Sequence, residues 1–104
     1  MTFAEYQSFC RTTAVYPKET AIDYLILGLC SEAGELAGKR KKQLRGDGYV
    51  RPEDILYEVG DVLWYAAEIC SFYGYSLEDV AEWNKIKLSA RKDAGTIKGS
   101  GDNR

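Results

Sequence analysis

The chain has 104 residues, 45% of them apolar and 29% charged, with 14 Lys+Arg against 16 Asp+Glu, which fits one globular domain with a modest core and excludes two. A net charge of −2 and a pI near 5.2 provide no global basic field, so neither a nucleic-acid polymer nor an anionic membrane is the expected partner. No stretch approaches the roughly 18–20 apolar residues of a membrane span, and the start MTFAEYQSFCR lacks a hydrophobic signal core, so a cytoplasmic location is expected.

Pro17, Pro52 and clustered glycines divide the chain into helical blocks. The first, about residues 2–13, opens with Thr2 and Glu5 in capping-box spacing and closes before Tyr16-Pro17. The second runs from about Thr20 to Leu44, its end crowded by Lys39, Arg40, Lys41, Lys42 and Arg45, where the helix dipole favours cations. Gly46-Asp47-Gly48 turns the chain into a third block, from Pro52 with Glu53 and Asp54 in its first turn to a stop at Gly74. Ser76-Leu77-Glu78-Asp79 caps a fourth helix reaching about Lys92. Apolar residues recur at steps of three and four with no sustained alternation, so the expected fold is all-α, four helices in one domain spanning residues 1–92. Residues 93–104 are expected to form a Gly-rich flexible tail, in which Lys98 and Arg104 are candidates for closing over a ligand.

Histidine is absent, which removes His-based triads, His-ligated zinc and the ExxH motif of di-iron bundles. Cys10, Cys30 and Cys70 are odd in number with no CxxC spacing, and read as reduced, buried thiols. Carboxylates are left to carry the chemistry. On a helical projection Glu32 borders the apolar arc of the second helix (Ile22, Leu25, Ile26, Leu29, Cys30, Ala33, Leu36, Ala37), with Glu35 one ridge further out. Glu58 borders the arc of the third helix (Ile55, Val59, Val62, Leu63, Ala66, Ile69, Cys70) in the same way, with Asp61 one ridge out. Either pair alone is more often a solvated face. Two pairs laid out alike on adjacent helices differ, because carboxylates about 6 Å apart repel by roughly 3 kcal/mol at an effective dielectric near 20 and require cations to converge. All-oxygen ligands select Mg²⁺, with Mn²⁺ as a substitute, and such ions keep open positions for water and substrate phosphates. Gly34 and Gly60, inside these helices, predict close approach of a ligand or a neighbouring helix.

The strings GLCSEAGELAGKRKK, EVGDVLWYAAEI (Glu58 following Glu35 after a 22-residue gap) and SLEDVAEWNKIKLSAR resemble the MazG-like nucleotide pyrophosphohydrolases over nearly the whole chain. The resemblance implies an all-α, homo-dimeric or homo-tetrameric enzyme that uses Mg²⁺ to hydrolyse nucleoside triphosphates, deoxynucleotides included, to the monophosphate and pyrophosphate. It implies that Glu32, Glu35, Glu58 and Asp61 hold metal, that Glu32 or Glu35 orients or deprotonates a metal-activated water attacking the α-phosphorus, and that Asn84, Lys87 and Arg91 lie near phosphates. Lys39 is open to two readings, an ion pair with Glu35 or a phosphate ligand. The alternatives are an all-α hydrolase specialised for one nucleotide and a non-catalytic helical oligomerisation or regulatory module.

Tyr57, Trp64 and Ala67 fall opposite the apolar arc of the third helix, which predicts a subunit interface along that side. Tyr6, Phe9 and Tyr16 read as packing residues, with base stacking as a second possibility.

Overall fold

The computed structural model describes residues 1–102, which contain four helices and no strand: α1 (Phe3–Thr12), α2 (Ala21–Arg45), α3 (Pro52–Phe72) and α4 (Leu77–Ala94). The caps are those the sequence predicts. Thr2 Oγ1 accepts from the Glu5 amide at 3.1 Å while Glu5 Oε1 accepts from the Thr2 amide, and Ser76 and Asp79 cap α4 reciprocally. Gly46 (φ 82°) ends α2 in the left-handed region, where a Cβ would be strained. Helix α4 continues two residues past the expected Lys92, and residues 95–102 then turn back toward it, with the Arg91 guanidinium donating to the Gly101 carbonyl at 3.1 Å.

Helices α2 and α3 form a hairpin, the most extensive helix pair in the molecule. Across the C-terminal half of α3 lies α1, and Gln7 joins three elements there. Its Nε2 donates to Ser71 Oγ at 2.9 Å and to the Tyr75 carbonyl at 3.0 Å, while its Oε1 accepts from the Leu77 amide at 2.8 Å. Cys10, Ala67, Cys70 and Leu77 make the core beneath it, flanked by Tyr6, Leu63 and Trp64. The wholly buried Glu68 accepts from Arg11 Nη1 and the Tyr16 hydroxyl, both at 2.7 Å, tying the α1–α2 connection to α3 through charge-assisted bonds.

Three expectations are corrected. Trp64 and Ala67 face the chain's own α1: Ala67 is fully buried and Trp64 Nε1 donates to Thr13 Oγ1 at 2.7 Å, because α1 covers the side left open in the sequence projection; Tyr57 alone stays exposed. Cys30 is exposed, whereas Cys10 and Cys70 are buried, and all three thiols are free. No neighbouring helix approaches Gly34 or Gly60, where a Cβ would meet no protein atom within 4 Å, so the helix half of that expectation is overturned; the glycine under close approach from another helix is Gly28, where a Cβ would collide with the Tyr65 ring.

Helix α4 packs against α1 and α3 and not against α2. Part of the apolar arc on α2 and α3 is therefore uncovered, with Ile26 48% and Val59 45% exposed. A groove of about 480 Å³ opens between the helices, lined by Leu29, Ala66, Ile69, Tyr73, Val80 and Trp83 among others. The Cα radius of gyration is 16.5 Å, against about 13 Å for a compact domain of this length.

Candidate metal and nucleotide site

Near the middle of the α2–α3 hairpin, Glu32, Glu58 and Asp61 each bring one carboxylate oxygen within 4.8 Å of the others. Their edge positions on the two apolar arcs produce this: packing Leu25 and its neighbours against α3 turns both borders to the same side. Burial and the neighbouring acids, Glu58 foremost and then Asp61 and Glu35, push the Glu32 pKa up. The Glu58 pKa goes down, chiefly because the Lys39 ammonium sits 2.8 Å from its Oε1. The other oxygen, Oε2, is buried with no hydrogen-bond partner. A buried carboxylate oxygen without a donor, beside two further carboxylates and no nitrogen or sulfur ligand, suits a hard divalent cation. The residues present fit such an ion.

Glu35 is not drawn into this convergence. It stays solvent-exposed one turn along α2, where its charge still raises the Glu32 pKa. Lys39 pairs with Glu58 across the hairpin, not with Glu35 along its own helix, and its ammonium also donates to the Asp54 carbonyl at 2.9 Å. Thr13, Trp64 and Tyr65 join Glu32 and Asp61 in lining an open pocket of about 320 Å³. Its aromatic wall is braced: the Trp64 and Tyr65 rings meet edge to face at 4.9 Å, and Tyr16 stacks on Tyr24 at 5.4 Å behind them.

On α4, Asn84 and Lys87 border a separate hollow of about 230 Å³ with Val80 and Trp83. Lys87 Nζ and Arg91 Nη2 both donate to Asp102 Oδ1, at 3.1 and 3.2 Å. Arg91 is only 6% exposed and its Nε has no partner. Lys98 is exposed, and Arg104 lies outside the described residues.

Residues 20–96 match the MazG nucleotide pyrophosphohydrolase domain, a span running from the N-cap of α2 to just past the end of α4. The chain belongs to the MazG family. It is 43% identical over 109 residues to the Gene 37 protein of Mycobacterium phage L5, covering 95% of this chain and 96% of that protein. No solved structure matches. Among the described residues no helix is long and apolar enough to cross a membrane.

The matched MazG span holds both acidic pairs and the α4 cations, whereas α1 and Thr13 lie before it. Sequence reasoning placed Trp64 at a subunit interface and gave Tyr65 no role, yet both line the pocket beside the carboxylates. Their spacing held the signal, since positions three and four after Asp61 share its side of α3. Thr13 carried none, because its arrival depends on how α1 crosses α3.

Proposed function

We propose that this MazG domain is a divalent-metal-dependent nucleoside triphosphate pyrophosphohydrolase, deoxynucleotides included, using Mg²⁺ with Mn²⁺ as a substitute. The observation carrying this reading is the Glu32–Glu58–Asp61 convergence, with its buried unpartnered Glu58 oxygen, beside an aromatic-walled pocket. These three residues hold the ion, and Glu35 closes the cluster from its exposed side. Bound there, the ion supplies Lewis acidity toward phosphoryl oxygens and lowers the pKa of water. One of the two α2 glutamates, Glu32 at the cluster or the exposed Glu35 one turn along, accepts the proton of the attacking water or orients it. Trp64 and Tyr65 give the nucleoside a rigid apolar wall.

Asn84, Lys87 and Arg91 are the phosphate ligands in this reading. Helix α4 does not pack on α2, and the hollow beside Asn84 and Lys87 is separate from the pocket at the carboxylates. In this reading a second copy covers the exposed apolar residues, Trp83 in the groove and Ile26 and Val59 on the hairpin, and the active species is a homo-dimer or homo-tetramer.

A screen of pyrophosphate release over ribo- and deoxyribonucleoside triphosphates, with Mg²⁺ and with chelator, tests the reading. Release that requires the ion supports it. Absence of release across the panel, with no ion binding, leaves the non-catalytic helical module.

A further inference from the structure

Lys39 lies seven residues, two helical turns, after Glu32 on α2, so its stem rises from the same face as the carboxylate cluster. Its ammonium is held at two points, Glu58 Oε1 at 2.8 Å and the Asp54 carbonyl at 2.9 Å. The Lys39 and Glu58 side chains are 31% and 12% exposed, so solvent screens this pair less than a surface ion pair. Three carboxylates and one ammonium leave the cluster with two surplus negative charges when all are ionised, and the ammonium stands where it opposes an arriving cation.

We propose that Lys39 is a tethered counter-ion that competes with the divalent ion for Glu58, so that the ion binds weakly alone and well only in company with the anionic nucleotide. The proposal rests on reading Glu32, Glu58 and Asp61 as the metal site. A monovalent cation touching one ligand raises the cost of bringing in a divalent one. A nucleoside triphosphate reverses the balance, because its charge turns the same ammonium from an opponent of the ion into a partner of the phosphates. Of the three N–H donors of an ammonium, two are engaged with Glu58 and Asp54, which leaves one for an anion without breaking either contact. Lys39 is thereby a positioning residue that links ion uptake to substrate arrival.

The test is titration of wild type, Lys39→Met, Lys39→Arg and Lys42→Met with Mn²⁺ alone, read by the Mn²⁺ paramagnetic resonance signal and by the intrinsic fluorescence of Trp64 and Trp83 together. The same titrations are then repeated with a non-hydrolysable α,β-methylene triphosphate. Lys39→Met is expected to bind Mn²⁺ alone about tenfold more tightly, equivalent to about 1.4 kcal/mol, and to bind Mn²⁺ with the analogue more weakly than wild type. Lys39→Arg keeps the charge and the wild-type pattern, and remains informative should the methionine variant fail to fold. Lys42→Met, a charge removed from the same helix away from the cluster, leaves both affinities unchanged. A purely structural role would move both affinities in one direction. Wild type without saturable Mn²⁺ binding overturns the metal-site reading itself; saturable binding that Lys39→Met leaves unchanged or weakens overturns this proposal alone.

Discussion

The molecule carries two ionic clusters that are out of balance in opposite senses. On the α2–α3 hairpin, three carboxylates share one ammonium, that of Lys39. At the end of α4, two cations, Lys87 and Arg91, share the one carboxylate of Asp102. Glu68 stands apart from both: its Oε1 is matched by the Arg11 guanidinium and the Tyr16 hydroxyl, while its Oε2, like that of Glu58, is buried without a hydrogen-bond partner, so what distinguishes Glu58 is the company of two further carboxylates. The sign of each surplus defines the ligand that would relieve it, a cation at the first cluster and an anion at the second. In the function proposed above, a metal-bound triphosphate supplies both.

The largest expected effects come from breaking the acidic side. Glu58→Gln and Asp61→Asn should each lower turnover by about 10²-fold or more, on the order of 3 kcal/mol, and abolish Mn²⁺ binding while circular dichroism keeps its helical signal. Glu35→Gln should lose turnover yet retain most of the ion affinity, because Glu35 stands outside the convergence. Equal loss of ion binding in all three variants would place Glu35 inside it.

On the basic side, Lys87→Ala and Arg91→Ala should each lower kcat/KM by roughly 10-fold, about 1.4 kcal/mol. Lys41→Ala and Lys42→Ala should change it little. A reversed ranking would move the phosphate site to the end of α2.

A smaller effect sharpens the contrast through stability alone. Folding raises the pKa of Glu32, so metal-free stability is lost as pH rises through the folded-state value; Glu58, depressed by Lys39, contributes stability that is lost as pH falls through its own. At pH 7 in chelator, Glu32→Gln should raise Tm by about 2–4 °C, while Glu58→Gln should lower Tm by a similar amount by stranding the Lys39 ammonium. Scanning calorimetry gives the sign of each shift directly. Gly28→Ala belongs to the packing account: collision with the Tyr65 ring should cost about 1–3 kcal/mol by overpacking, partly offset by helix propensity, as read from urea unfolding.

What was legible in the sequence was local. Capping pairs at Thr2–Glu5 and Ser76–Asp79, the glycine stops and the edge placement of Glu32 and Glu58 all follow from residues within one or two turns of each other. The outcomes set by how helices cross were not legible. The passage of α1 over α3 turned Trp64 and Ala67 inward and delivered Thr13 to the pocket rim. The direction of α4 left an apolar groove where a projection of α2 and α3 draws a covered core. Gly28 escaped notice because its need is created by a ring on another helix, whereas Gly34 and Gly60, conspicuous beside the acids, meet no neighbour within 4 Å.

The most direct test of the central claim is phosphorus NMR of a single-turnover reaction in ¹⁸O-enriched water with Mg²⁺. Attack at the α-phosphorus, with the carboxylate cluster beside the bond being broken, predicts the isotope shift on the nucleoside monophosphate and unlabelled pyrophosphate. Label in the pyrophosphate, or release of orthophosphate with a nucleoside diphosphate, would contradict it.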